Sequence, residues 1–235
     1  IETDRVRLHE VAFVDQADAV ERFYFRGNCL SHSSVLMEGK VMRDIGEYDA
    51  GYNQLHDLDY WMRIAKKYRI DVIQEKYMAV RRFIKQENLM TNMSNMSEGA
   101  EIRVFNEYME LRAHYFEGLS DDLLVKAFGK YFRKPGVLDS KQLECEKAFL
   151  MCRPQDGWTG IPPAGLRRLH ELMIDEEMKQ ILENDYNFGI RDYYKLLENH
   201  LYDDSILQMK KRQLQDEIKL LEFEKENLRN EIQMY

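Results

Sequence analysis

Between residues 91 and 203 the apolar side chains recur at three- and four-residue intervals with almost no alternating run, and this periodicity constrains the fold more than any other feature of the chain. Ile102, Phe105, Met109, Ala113 and Phe116 share one helical face. Leu123, Leu124, Ala127, Phe128 and Tyr131 share another, in a helix that ends near Pro135-Gly136. Further helices are expected around 140–152, 166–173, 175–184 and 190–201, so the stretch is expected to form an α-helical domain. The segment PQDGWTGIPPAG is its one Pro/Gly-rich interruption, and Trp158 within it suits a packing plug better than an exposed contact.

Composition narrows the function classes. The 235 residues are 44% hydrophobic and 32% charged, which suits a packed globular chain rather than a disordered one. The formal net charge of −8 is spread along the chain, with basic residues mostly alternating with acidic ones, and this argues against nucleic acid as a partner. No run of eighteen apolar residues exists, so no membrane span is expected. Cys29, Cys145 and Cys152 lack metal-ligand spacing and suit reduced structural thiols; a cytoplasmic location is expected. The chain opens at Ile1 on residues that read like the middle of a protein, so a longer natural polypeptide is expected.

Residues 1–90 have a different texture. The run CLSHSSVLM, residues 29–37, suits a buried strand, and VMRDIGEYD suits a helical turn stopped by Gly46. Tyr60, Trp61, Ile64, Ala65 and Tyr68 then define an amphipathic helix, with Asp57 and Asp59 at its start and Lys66, Lys67 and Arg69 at its end, as the helix dipole favours. IDVIQ and MAVRRFI are expected to be short strands, because both are rich in β-branched residues. Trp61 is expected in the core.

The last segment, 204–235, carries Leu207, Leu214, Leu221, Leu228 and Tyr235 at intervals of seven, with Lys211, Ile218, Lys225 and Ile232 between them. This is a coiled-coil pattern. Its two interior lysines and mixed flanking charges do not select a parallel homodimer, and Met209 and Phe223 fall outside the seam. Self-association and docking on another part of the protein both remain open.

Residues 22–90 resemble the second half of the catalytic domain of family 2 glycosyltransferases. The landmarks occur in order: His32-Ser33-Ser34; Gly46-Glu47-Tyr48-Asp49; His56-Asp57; the helix opening D-x-D-x-W-x-R-x-A from Asp57 to Ala65; and Val80-Arg81-Arg82. The resemblance implies an α/β, partial GT-A-like segment at 1–90, followed by the helical domain and the heptad helix. It implies an inverting transfer of a sugar from a nucleotide-sugar donor to an acceptor hydroxyl of a saccharide or protein. Asp57 matches the family's catalytic base. A carboxylate is a weak base, so its effect would come from rigid placement at a helix start.

The same resemblance implies substrate contacts for Asn28, His32, His56 and Asp59, and diphosphate contacts for Arg81, Arg82 and Lys85, whose charges suit phosphate oxygens. Each has a simpler alternative. Asp57 and Asp59 can cap their helix, His32 can be a satisfied buried histidine, and His56 can be a surface residue. Family members often carry histidine near the position of Lys85, so no metal ligand is assigned within these residues. A divalent Mn or Mg ion is expected only with a donor-binding half, and no Asp-x-Asp site precedes Asp57. By itself the chain is expected to be inactive. The competing expectation is a non-catalytic scaffold that associates through its helical domain and heptad helix. A metal-dependent hydrolase would need a second His/Asp cluster, which the sequence lacks.

Overall fold

The computed structural model describes residues 12–75, 77, 97–199, 211, 213–222 and 224–225. About 64% of this part is helical, and no strand or sheet occurs among the described residues. In chain order the helices are α1 (Gln16–Arg26), α2 (Gly39–Ile45), α3 (His56–Lys67), α4 (Glu98–Ala113), α5 (Asp121–Phe128), α6 (Ser140–Met151), α7 (Pro163–Ile174), α8 (Glu176–Tyr186) and α9 (Ile190–Leu197). Residues 213–222 are also helical.

Side-chain caps start many of these helices. Asp15, Ser97, Ser120, Asp139 and Asp175 each accept a hydrogen bond from a first-turn amide, supplying an acceptor that the helix itself cannot. Helix α1 buries Ala17, Ala19, Val20, Phe23, Tyr24 and Phe25 and packs on α3 and α5. Tyr24 lies at the centre of this first core. Its ring meets Tyr115, Phe116 and Phe128 at centroid distances of 4.8–5.5 Å, and its hydroxyl donates to the Leu150 carbonyl at 3.0 Å. The buried Arg112 guanidinium sits 4.0 Å from the same ring and donates to the carbonyls of Tyr24 and Arg153. Residues of α1, α3, α4, α5 and α6 thus share one apolar interior.

Helix α6 is apolar on two sides. Leu143 and Leu150 enter the first core, whereas Cys145, Ala148 and Phe149 enter a second, built with Leu166, Leu169 and Leu172 of α7, Leu182 of α8, Phe188, and Tyr193 of α9. Gly165 lets α6 and α7 approach closely, since a Cβ there would lie 2.5 Å from the backbone of Met151 and Cys152. Glu146, fully buried on α6, accepts from the backbone amides of Arg133 and Lys134 at 2.9 Å each and so anchors the α5–α6 connection.

The α/β, partial GT-A-like expectation for residues 1–90 is overturned, because the described part of that segment is helical with irregular connections. The strand expected over 29–37 is instead a 3₁₀ turn, His32–Ser34, between extended residues. Ser34 explains part of the difference: its amide and its hydroxyl both donate to the Ser31 carbonyl, which closes a local turn. Leu36, expected in a buried apolar run, is 99% exposed. Residues 70–74 form no strand either, and Ile73 is exposed. The strand expected over 78–84 lies outside the described residues. The helical turn stopped by Gly46 and the amphipathic helix after Leu55 are present as α2 and α3. Trp158 stacks on Phe105 at 5.3 Å and packs near Tyr108.

Candidate functional site around Asp57

Asp57 lies in the first turn of α3, and the surroundings of that turn fix its carboxylate. The residue preceding the helix, Leu55, offers no side-chain cap. Glu107 of α4 takes over part of that role. Its carboxylate accepts from the amides of Asn53, Gln54 and Leu55 at 3.0, 2.8 and 2.8 Å, placing a negative charge beside the helix start. Farther along α3, Arg63 donates to Asp59 and to the carbonyls of Ile45 and Glu47, tying the helix to the end of α2.

With α3 held at both points, Asp57 Oδ1 accepts from the Leu58 amide at 2.8 Å and Oδ2 from Asn28 Nδ2 at 2.9 Å. Asn28 reaches across because α1 ends at Gly27, whose φ of 74° turns the chain sharply. A side chain at Gly27 would also press on Tyr108, 3.1 Å from the Cβ position. Each carboxylate oxygen keeps acceptor capacity beyond its one hydrogen bond. Asp57 is half-buried, so that capacity can be reached from solvent.

A rim of rings completes the site. The His32 and His56 rings are 5.8 Å apart, and Tyr48 lies 5.8 Å from His32 and 5.6 Å from His56. The Tyr48 hydroxyl contacts His32 Nε2 at 3.2 Å, and His56 Nδ1 contacts the Asn53 carbonyl at 3.3 Å. Burial, then the neighbouring Tyr60 and the Asp57 charge, push the Tyr48 phenol above its usual range, so it remains a neutral hydrogen-bonding group. Beneath the rim Trp61 is buried, as expected of a core residue, with its ring edge-on to His32 at 5.9 Å.

The structure therefore brings together Asn28, His32, His56 and Asp57 from the residues singled out in the sequence. Asn28 and His32 do so from a loop and a 3₁₀ turn rather than from a strand. Asp59 stands apart, engaged by Arg63 in an ion pair at 2.8 Å. Arg81, Arg82 and Lys85 lie outside the described residues. Tyr48 and Glu107 were not anticipated. The turn Gly46-Glu47-Tyr48-Asp49 contained a signal for Tyr48, whereas nothing near Glu107 points to a loop more than fifty residues away.

Among the described residues no three His, Cys, Asp or Glu side chains converge as a metal ion would require. Each Asp57 oxygen holds an amide donor and no such cluster surrounds it among the described residues, so this donor set does not fit a metal. The three thiols are free, and burial pushes each upward, Cys29 to about 11 and Cys145 and Cys152 to about 12, which leaves them poor nucleophiles. No helix among the described residues is long and apolar enough to cross a membrane. Compared with family models, with curated proteins and with solved structures, the chain matches none.

Proposed function

We propose that Asp57 is the general base of a glycosyl transfer, with the ring-lined surface around it receiving the hydroxyl-bearing acceptor. The observation that carries this is the fixed Asp57 carboxylate: one oxygen on its own helix amide, the other on Asn28, with His32, Tyr48 and His56 around it. This site and the ordered motifs of residues 22–90 support the reading.

In the reaction the acceptor oxygen attacks the anomeric carbon of a nucleotide sugar as the bond to the diphosphate oxygen breaks, inverting that carbon. The hydroxyl proton passes to Asp57, and the bonding pair leaves with the nucleotide diphosphate. Asn28 holds the carboxylate in place, so its contribution is orientation. His32, Tyr48 and His56 offer polar edges and ring faces to the acceptor's hydroxyls and sugar faces. The residues described around Asp57 supply the acceptor side alone, and a divalent Mn or Mg ion would act with a donor-binding half.

The test is sugar-nucleotide turnover by the natural full-length protein across a donor panel, with Mn²⁺ or Mg²⁺ and candidate acceptors, beside its Asp57→Asn form. Turnover that falls about 10²–10⁴-fold in a folded Asp57→Asn protein is the expected result. Unchanged turnover in that variant, or no turnover with any donor and acceptor, would remove Asp57 from catalysis.

A second reading, the scaffold, is favoured by one observation. In the helical residues 213–222, Leu214, Ile218 and Leu221 fall on one face and remain 54–59% exposed. Sedimentation that is concentration-dependent in the natural protein and monomeric in Leu214→Lys would support it; monomeric behaviour in both would not.

A further inference from the structure

Away from Asp57, a cleft of about 180 Å³ opens where the two cores meet; its walls include Tyr131, Arg133, Phe149, Arg153, Ile161 and Leu196. Its cations differ from their neighbours. Lys130 pairs with Glu21, Lys134 with Asp185, Lys147 with Glu144, and Arg168 with Glu144 and Glu171. The guanidinium groups of Arg133 and Arg153 form no ion pair among the described residues.

Both are held on aromatic faces instead. Arg133 Cζ lies 3.8 Å from the Phe149 ring and 5.5 Å from that of Phe188, and Arg153 Cζ lies 4.8 Å from the Tyr131 ring. Such contacts occupy the guanidinium face and leave the N–H donors at its edge available. The nearby buried carboxylate, Glu146, spends its two oxygens on the amides of Arg133 and Lys134.

We propose that this cleft binds a small tetrahedral oxyanion, a phosphate group either free or ester-linked, gripped by Arg133 and Arg153. Arg133 and Arg153 both line the cleft, so two guanidinium groups can donate to one occupant. A planar carboxylate has two oxygens and satisfies one guanidinium fork, whereas a phosphate has enough oxygens for both. The apolar side chains of Ile161 and Leu196 suit the organic part of an ester. At about 180 Å³ the cleft is smaller than the roughly 300 Å³ at which pockets for drug-sized ligands begin, so it admits a phosphate headgroup rather than a whole nucleotide.

Calorimetric titration of the full chain with inorganic phosphate tests it, with glycerol phosphate, acetate, and phosphatidylcholine vesicles with and without phosphatidic acid as parallel arms. Saturable phosphate binding is expected, weakened about tenfold or more in Arg133→Gln and in Arg153→Gln, with acetate clearly weaker. Arg153 is exposed, so Arg153→Gln should keep the wild-type unfolding midpoint and separates lost binding from lost folding. Preference for glycerol phosphate over acidic vesicles assigns a soluble ester, and the reverse assigns a lipid headgroup, provided that Arg153→Gln weakens either one. No saturable phosphate binding, equal affinity in both variants, or acetate binding as tightly as phosphate would overturn the proposal.

Discussion

Replacing Glu107 should loosen the start of α3 although the residue lies on α4. Three backbone amides, those of Asn53, Gln54 and Leu55, donate to its carboxylate, and the last two are part-buried. In Glu107→Ala, water can take over at exposed Asn53. The other two amides lose an acceptor that solvent replaces poorly, at about 1–2 kcal/mol each. Loss of the negative charge beside the helix start adds about 0.5 kcal/mol. The sum is a destabilisation of roughly 2.5–4.5 kcal/mol. Glu107→Gln keeps one acceptor oxygen and should cost about half as much. Urea unfolding gives the free energies, and amide exchange of residues 53–58 locates the effect. Both variants should show faster exchange there and little change in α8 or α9. Free energies within about 0.5 kcal/mol of wild type, with unaltered exchange at 53–58, would refute Glu107 as the remote cap of α3.

Gly165→Ala should destabilise the protein by about 3 kcal/mol despite the better helix propensity of alanine, because the new Cβ would lie 2.5 Å from the backbone of Met151 and Cys152; a wild-type melting temperature would contradict this. Lys66 is half-buried over the Tyr115 ring, with its amine donating to the Glu117 carbonyl, and burial pulls its pKa down from 10.5 to about 8. Below pH 8 the folded protein carries a desolvated charge, so Lys66→Met should be more stable at pH 7 by about 2 kcal/mol after allowing for the lost hydrogen bond. Between about 8 and 10.5 the folded amine binds fewer protons than the unfolded one, so wild-type stability rises relative to the variant; urea midpoints at pH 7 and 9.5 that fail to converge would count against this.

The helical content was legible wherever one strong apolar stripe faced a core. Tyr60, Trp61, Ile64 and Ala65 marked α3, and all four are buried there. Gly46 marked the end of α2, where its φ of 84° is one that L residues rarely adopt. The strands failed for a physical reason: β-branched and alternating residues describe a surface that fits a sheet, and a strand forms only when a partner edge is present. Within 12–75 none is, so the serines at 31–34 satisfy one another's backbone locally, and Leu36 and Ile73 stay in solvent. Helix α1 went unread although Asp15 caps it and Ala17, Val20 and Tyr24 recur at helical spacing. The cap three residues before Asp18 was the available signal.

The site divides in the same way. Asp57, His56 and His32 could be named because each falls in one of the short motifs that carry the resemblance in residues 22–90. Their arrangement could not be foreseen, because it depends on contacts distant in sequence: Asn28 reaching Asp57 from the end of α1, and Glu107 reaching residues 53–55 from α4. Those contacts also weigh on the choice between the two functional readings. If Asp57 were only a helix-starting acid, its Leu58 bond and the Glu107 carboxylate would suffice for that turn, and Asn28 would add nothing to it. Asn28 instead aims the second oxygen from outside the helix, beside three rings that leave the carboxylate half-exposed. Asn28→Ala separates the possibilities, since a capping role predicts a loss of stability with turnover per folded molecule unchanged. An orienting role predicts the opposite: a stability change within about 0.5 kcal/mol and a turnover deficit of about tenfold or more.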